Sequence, residues 1–92
     1  MPQYNVIVYD FPGIDRNPKR QLHFAEVPRY VNSGVLLAGG AIYRSDDCLT
    51  DSFAGLWLHV EAESRDAVIE FLKQDPYATE GVWDVSTAII HP

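Results

Sequence analysis

From Gln3 to Asp10 the chain alternates, with Tyr4, Val6 and Val8 on one side and Asn5, Ile7 and Tyr9 on the other. A period of two in β-branched and aromatic residues predicts a strand. Phe11-Pro12-Gly13 ends it, because Pro-Gly sets a turn. Asn17-Pro18 then opens a helix, with Asn17 expected as N-cap and Pro18 pre-set for the first helical position. This helix is expected to reach about Asn32, with Phe24, Val27 and Val31 as its apolar stripe. Pro28 falls inside it and cannot donate to the carbonyl of Phe24, which predicts a kink or a local break. Ser33-Gly34 closes the helix.

Val35 to Tyr43 reads as a second strand, in which Gly39-Gly40 marks a bulge or a close backbone approach. Arg44 to Ser52 is a polar loop holding Asp46, Asp47 and Asp51. Phe53 to Ala62 is the best-defined strand. Ala54, Leu56, Leu58, Val60 and Ala62 form one apolar face, and Phe53, Gly55, Trp57, His59 and Glu61 form the other. Ser64 caps a second helix that runs to about Gln74, with Ala67, Val68, Phe71 and Leu72 inward. Asp75-Pro76-Tyr77 stops it, and a short turn to Gly81 leads into a last strand from Val82 to about Ile90.

The order is β-α-β-β-α-β. Two right-handed crossovers on one side of a four-stranded antiparallel sheet give an α+β, ferredoxin-like architecture. Both helices then cover one sheet face. The other face carries Phe53, Trp57 and His59, and aromatic residues exposed across a sheet mark an interface or groove. A two-fold homodimer through that face is expected.

At 92 residues, residues 1–92 form a single domain with a modest folding reserve. The net charge of −6 argues against nucleic acid as a partner, since a phosphate-backbone binder needs clustered Lys and Arg. The exception is a local spot at Arg16, Lys19 and Arg20, which suits a small anion. One cysteine, Cys48, allows no intrachain disulfide and fits a cytoplasmic location. No basic segment followed by an apolar run opens the chain, and no apolar stretch approaches ~20 residues, so neither a secretory signal nor a membrane partner is expected.

The candidate chemistry lies in two distant segments, Arg20-Gln21-Leu22-His23 and Asp75-Pro76-Tyr77. Arg20 and His23 share one face of the first helix. Asp75 precedes a proline, which pushes its backbone toward an extended shape. If Asp75 accepts the Nδ1 proton of His23, Nε2 is left as a base, and the carboxylate stabilises the imidazolium. Each residue also has an ordinary reading. Asp75 is helix-stop chemistry, Arg20 pairs in water with Asp10, Asp15 or Glu26, and Asp10 caps the following turn.

These segments resemble the YCII-related family. The resemblance is carried by Arg20-Gln21-Leu22-His23, Leu37-Ala38-Gly39-Gly40, Glu61-Ala62-Glu63-Ser64, Asp75-Pro76-Tyr77 and Gly81, in order and at matching spacing over nearly the whole chain. It implies a dimeric α/β barrel of ferredoxin-like subunits with a His–Asp dyad at His23 and Asp75. Similar proteins include a dehydrochlorinase of chlorinated hydroxyhydroquinones. There a proline orients the dyad, matched here by Pro76, and an arginine, matched by Arg20, holds an oxyanion together with a serine. An aspartate ending the first strand supports the arginine, and Asp10 is its nearest match. The serine position is Leu56 in this chain, a departure from the family's oxyanion hole, so a different substrate is expected. The family's proline after Ala-Gly is Gly40, expected to loosen that edge of the pocket.

The resulting reading is a small cofactor-independent enzyme of the lyase, dehydrochlorinase or isomerase type. His23, Asp75 and Arg20 are its catalytic residues, acting by proton transfer on a small hydroxylated aromatic, quinol or enol. Tyr9, Trp57 and Tyr77 are candidates for an aromatic pocket. Two alternatives stay open: a cofactor-free oxygenase on the same barrel, and a non-catalytic ligand-binding or interaction module. No metal site is expected, because the 44–52 loop lacks the glycine and closing glutamate of a Ca²⁺ loop. His59 is expected at the dimer interface and His91 in solvent.

Overall fold

A computed structural model describes residues 1–49 and 52–92. The elements are β1 (Gln3–Asp10), α1 (Arg20–Asn32), β2 (Leu36–Tyr43), β3 (Phe53–Glu61), α2 (Arg65–Gln74), α3 (Pro76–Thr79) and β4 (Trp83–His91). The four strands form one antiparallel sheet in the order β2-β3-β1-β4. Strands that follow each other through α1 or α2 are thus separated by one strand, which is the ferredoxin-like topology read from the pattern.

Even-numbered positions of β1 and β3 make the buried face: Val6, Val8, Leu58 and Val60 are at most 4% exposed. Val68 and Leu72 of α2, Tyr77 of α3, and Trp83 and Ile90 of β4 complete the core. Ser64 caps α2 as its sequence predicts, its Oγ accepting from the Ala67 N–H at 3.1 Å. The opposite sheet face leaves Tyr9, Trp57 and Ile89 exposed.

Several expectations are corrected. Asn17 is not a capping residue. It sits in a 3₁₀ turn, Asn17–Lys19, that precedes α1, and the turn is started by Asp15, whose carboxylate accepts from the Asn17 N–H at 3.0 Å. α1 passes through Pro28 without a break. Its apolar stripe does not face the core: Phe24 and Val31 are more than half exposed, while His23 and Tyr30 are the buried residues. The helix is turned so that polar-tipped rings face inward, because the interior supplies a carboxylate for them.

Phe53 does not lie on the outer face with Trp57. Ile42 pairs with Gly55 but Tyr43 pairs with Phe53, so Ala54 is an inserted residue and the alternation reverses beyond it. Phe53 is turned to the helix side, where it is buried and stacks on Tyr43 at 5.1 Å. The two glycines of β2 are not the bulge; the register shifts lie on either side of them. They are places of close approach. A Cβ on Gly40 would sit 2.5 Å from Trp57 Nε1, so the Trp57 indole packs against the β2 backbone on the outer face there.

β4 is also less regular than its sequence suggests. Its register slips between the Ile7–Ile89 and Tyr9–Asp84 pairs, and Thr87 Oγ1 donates to the Asp84 carbonyl at 2.8 Å within the extra length. In the acidic loop, Asp47 accepts from Ser45 Oγ at 2.6 Å and from the Leu49 N–H at 3.2 Å, which holds its carboxyl below the usual range. Asp51 lies outside the described residues, and among those described no acidic or His/Cys group is arranged to hold a metal.

Candidate functional site

Asp75 is the centre of the site. It ends α2 and begins α3 in an extended conformation, φ −68° and ψ 144°, as a residue before proline should. Pro76 takes the first position of α3, where its missing N–H costs nothing. The Asp75 carboxylate then caps α3, accepting from the Tyr77 N–H at 2.9 Å. The residue is 1% exposed.

His23 meets it from α1. Nδ1 lies 2.9 Å from both Asp75 oxygens. Tyr30, two turns further along the same face, donates its hydroxyl to Asp75 Oδ1 at 2.8 Å. Three donors therefore converge on one buried carboxylate. A carboxylate accepts only, so this network assigns the hydrogen to Nδ1 and leaves the lone pair on Nε2. The imidazole also stacks on Tyr77, with ring centres 4.3 Å apart and planes at 11°, and Trp83 meets its edge. Packing and hydrogen bonds together fix the ring's orientation. Burial, with the bond to Asp75, raises the Tyr30 phenol well above its ordinary value. Burial raises Tyr77 too, against the pull of Arg16 and Arg20.

The arginine pairing differs from the expected one. Asp10 does not support Arg20. It holds Arg16 through two bonds, Nε to Oδ2 at 3.0 Å and Nη2 to Oδ1 at 2.8 Å. Both side chains are nearly buried. Six positions separate them, and the Pro12-Gly13 turn carries Arg16 back over the end of β1. Its guanidinium lies 4.5 Å from the Phe53 ring centre and 5.0 Å from that of Tyr77. Arg20 stands nearby, 5.2 Å from the Phe53 ring centre.

A cavity of about 170 Å³ opens between α1 and β2. His23, Arg16 and Arg20 supply its polar wall, and Phe24, Tyr43, Phe53 and Tyr77 its aromatic one. Gly39–Ala41 and Leu56 form the apolar floor. Of the residues expected to line an aromatic pocket, only Tyr77 does. Tyr9 and Trp57 belong to the other sheet face, because odd positions of β1, and of β3 after the inserted Ala54, point away from the helices. His59 shares that face in β3, and His91 is exposed.

Sequence reasoning passed over two residues, Arg16 and Tyr30. Tyr30 carried a usable signal: it follows His23 by seven positions, the spacing that returns a helix to the same face. Arg16 carried none beyond its place in the basic spot, since its partner is set by the course of a turn.

No curated protein matches the chain. Among solved structures it is similar to 5-chloro-2-hydroxyhydroquinone dehydrochlorinase from Burkholderia phenoliruptrix AC1100, determined in complex with 2,5-dihydroxybenzoquinone. The TM-score is 0.82 at 22% identity, over 99% of this chain and 92% of that one. At that identity the likeness shows the fold alone, a ferredoxin-like α+β subunit. The YCII-related domain matches residues 3–89. The chain therefore belongs to the YCII-related family.

Proposed function

We propose that this protein is a cofactor-independent enzyme that moves protons on a small hydroxylated aromatic, with His23 as general base and acid. The observation that carries the reading is the His23 Nδ1 contact with Asp75 at 2.9 Å beside an aromatic-lined cavity. With Nδ1 committed, Nε2 is the atom that meets substrate. Asp75 stabilises the imidazolium once His23 has taken a proton. Arg16 and Arg20 stabilise an oxyanion on the ring, a task for a permanent cation. Such acid–base work supplies roughly 10²–10⁴-fold.

The dehydrochlorinase activity of the similar structure suggests an elimination. His23 Nε2 takes the proton of one ring hydroxyl, and the chlorine-bearing carbon is protonated as that oxygen becomes a carbonyl. A second hydroxyl then loses its proton while chloride leaves with the C–Cl pair. The products are a quinone and HCl, and no external oxidant is needed. Leu56 in place of the family's serine removes one oxyanion donor, so the arginines carry that role. The outer face with exposed Trp57 and Ile89 suits pairing with a second copy in a homodimer.

The test is chloride release from chlorinated hydroxyhydroquinones by the wild type and by His23→Gln. The reading expects release that falls at least 10²-fold in a folded variant. Equal rates in the two proteins would end it. Oxygen uptake in place of chloride release would favour an oxygenase.

A further inference from the structure

The two cavity arginines are not equivalent. Arg16 is 3% exposed and held by both oxygens of Asp10, so its charge is balanced inside the protein. Arg20 has no carboxylate within ion-pair distance among the described residues. Its guanidinium rests against aromatic rings instead, 5.2 Å from the Phe53 ring centre and 5.6 Å from that of Phe24. The chain has 13 acidic residues against 7 basic ones, so a cation without an acidic partner at a cavity wall is a local departure from its own charge balance. Among the described residues no carboxylate competes there: Asp10 is spent on Arg16, and Asp75 is buried beneath three donors. The remaining walls are apolar, with Leu56 and Gly39–Ala41 beneath.

We infer that the ligand of this cavity is a single hydroxylated ring bearing a carboxylate, the carboxylate seated on Arg20 and a hydroxyl on His23. This rests on the reading of the cavity as a substrate site. Size sets the single ring: the cavity measures about 170 Å³, and one of about 150 Å³ takes benzene. Spacing sets the two attachment points. Arg20 and His23 are three positions apart on α1, so both project from one helix face toward the same ring. Charge sets the carboxylate. A ring hydroxyl with a phenol-like pKa of about 10 is neutral at pH 7, whereas a carboxylate is already charged when it meets the cation. A neutral ring would meet Arg20 as an ion only after a hydroxyl had lost its proton, whereas a carboxylate is matched from the moment of binding.

The experiment is calorimetric binding of 2,5-dihydroxybenzoate and of hydroquinone, its analogue without the carboxylate. The proteins are the wild type, Arg20→Gln and His23→Gln. The wild type is expected to prefer the benzoate by about tenfold, the effect of one charge-assisted contact. Arg20→Gln is expected to erase the preference, with its fold checked by circular dichroism. His23→Gln is expected to keep the preference. Equal binding of the two probes by the wild type, no binding of the benzoate, or a preference that survives Arg20→Gln would overturn the inference. A preference that holds in a protein without turnover would remove the enzymatic reading and leave the ligand assignment standing.

Discussion

The Tyr30 hydroxyl donates to Asp75 Oδ1 at 2.8 Å, so the carboxylate that orients His23 is itself oriented from the other end of α1. Two residues seven apart on one helix thus grip one acid that ends another. Tyr30→Phe removes a buried donor and leaves the ring packed against Phe71. The expected cost is about 1–3 kcal/mol of stability, measured by urea unfolding. Turnover is expected to fall about tenfold with KM unchanged, because Tyr30 touches the dyad and not the cavity. A change confined to KM would contradict this placement.

The Arg16–Asp10 pair makes a separate prediction. Both side chains are at most 5% exposed. Removing one partner leaves a buried charge uncompensated, so Asp10→Asn is expected to destabilise by about 3–5 kcal/mol. Asp10→Asn combined with Arg16→Met is expected to recover most of that loss, since no lone charge remains. A double-mutant cycle by denaturant unfolding checks it. Simple addition of the two single losses would refute the coupling.

Alkaline pH should strain the same region. Tyr30 and Tyr77 are held above their ordinary value of 10.0, chiefly by burial. The folded state keeps these protons after the unfolded state has released them. Their contribution is therefore fully present below pH ~10 and is lost as pH rises past that value. Tyrosinate absorbance should rise in step with loss of circular dichroism, and Tyr30→Phe should flatten the fall in stability. Ionisation of all five tyrosines before any unfolding would show the opposite.

Much of this was legible in the chain. The alternation of Phe53 to Ala62, the cap at Ser64 and the stop at Asp75-Pro76 gave the order of elements, because each is a local effect. The meeting of His23 with Asp75 came from the family resemblance, not from periodicity. What stayed hidden depends on contacts between distant segments. The apolar stripe of Phe24 and Val31 misled because the helix turns its rings toward a buried acid, and hydrophobicity alone does not register that. The inserted Ala54 turned Phe53 from the outer face into the cavity wall, a change invisible without the register of the neighbouring strand. Arg16 displaced Arg20 as the partner of Asp10 because a turn, not a helix face, sets that distance.

The most direct test of the account is the tautomer of His23, read from its ring ¹⁵N shifts in the wild type and in Asp75→Asn. The account predicts hydrogen on Nδ1 and a lone pair on Nε2 in the neutral wild-type ring, with that arrangement lost in the variant. Hydrogen on Nε2 in the wild type, or the same spectrum in both proteins, would contradict it.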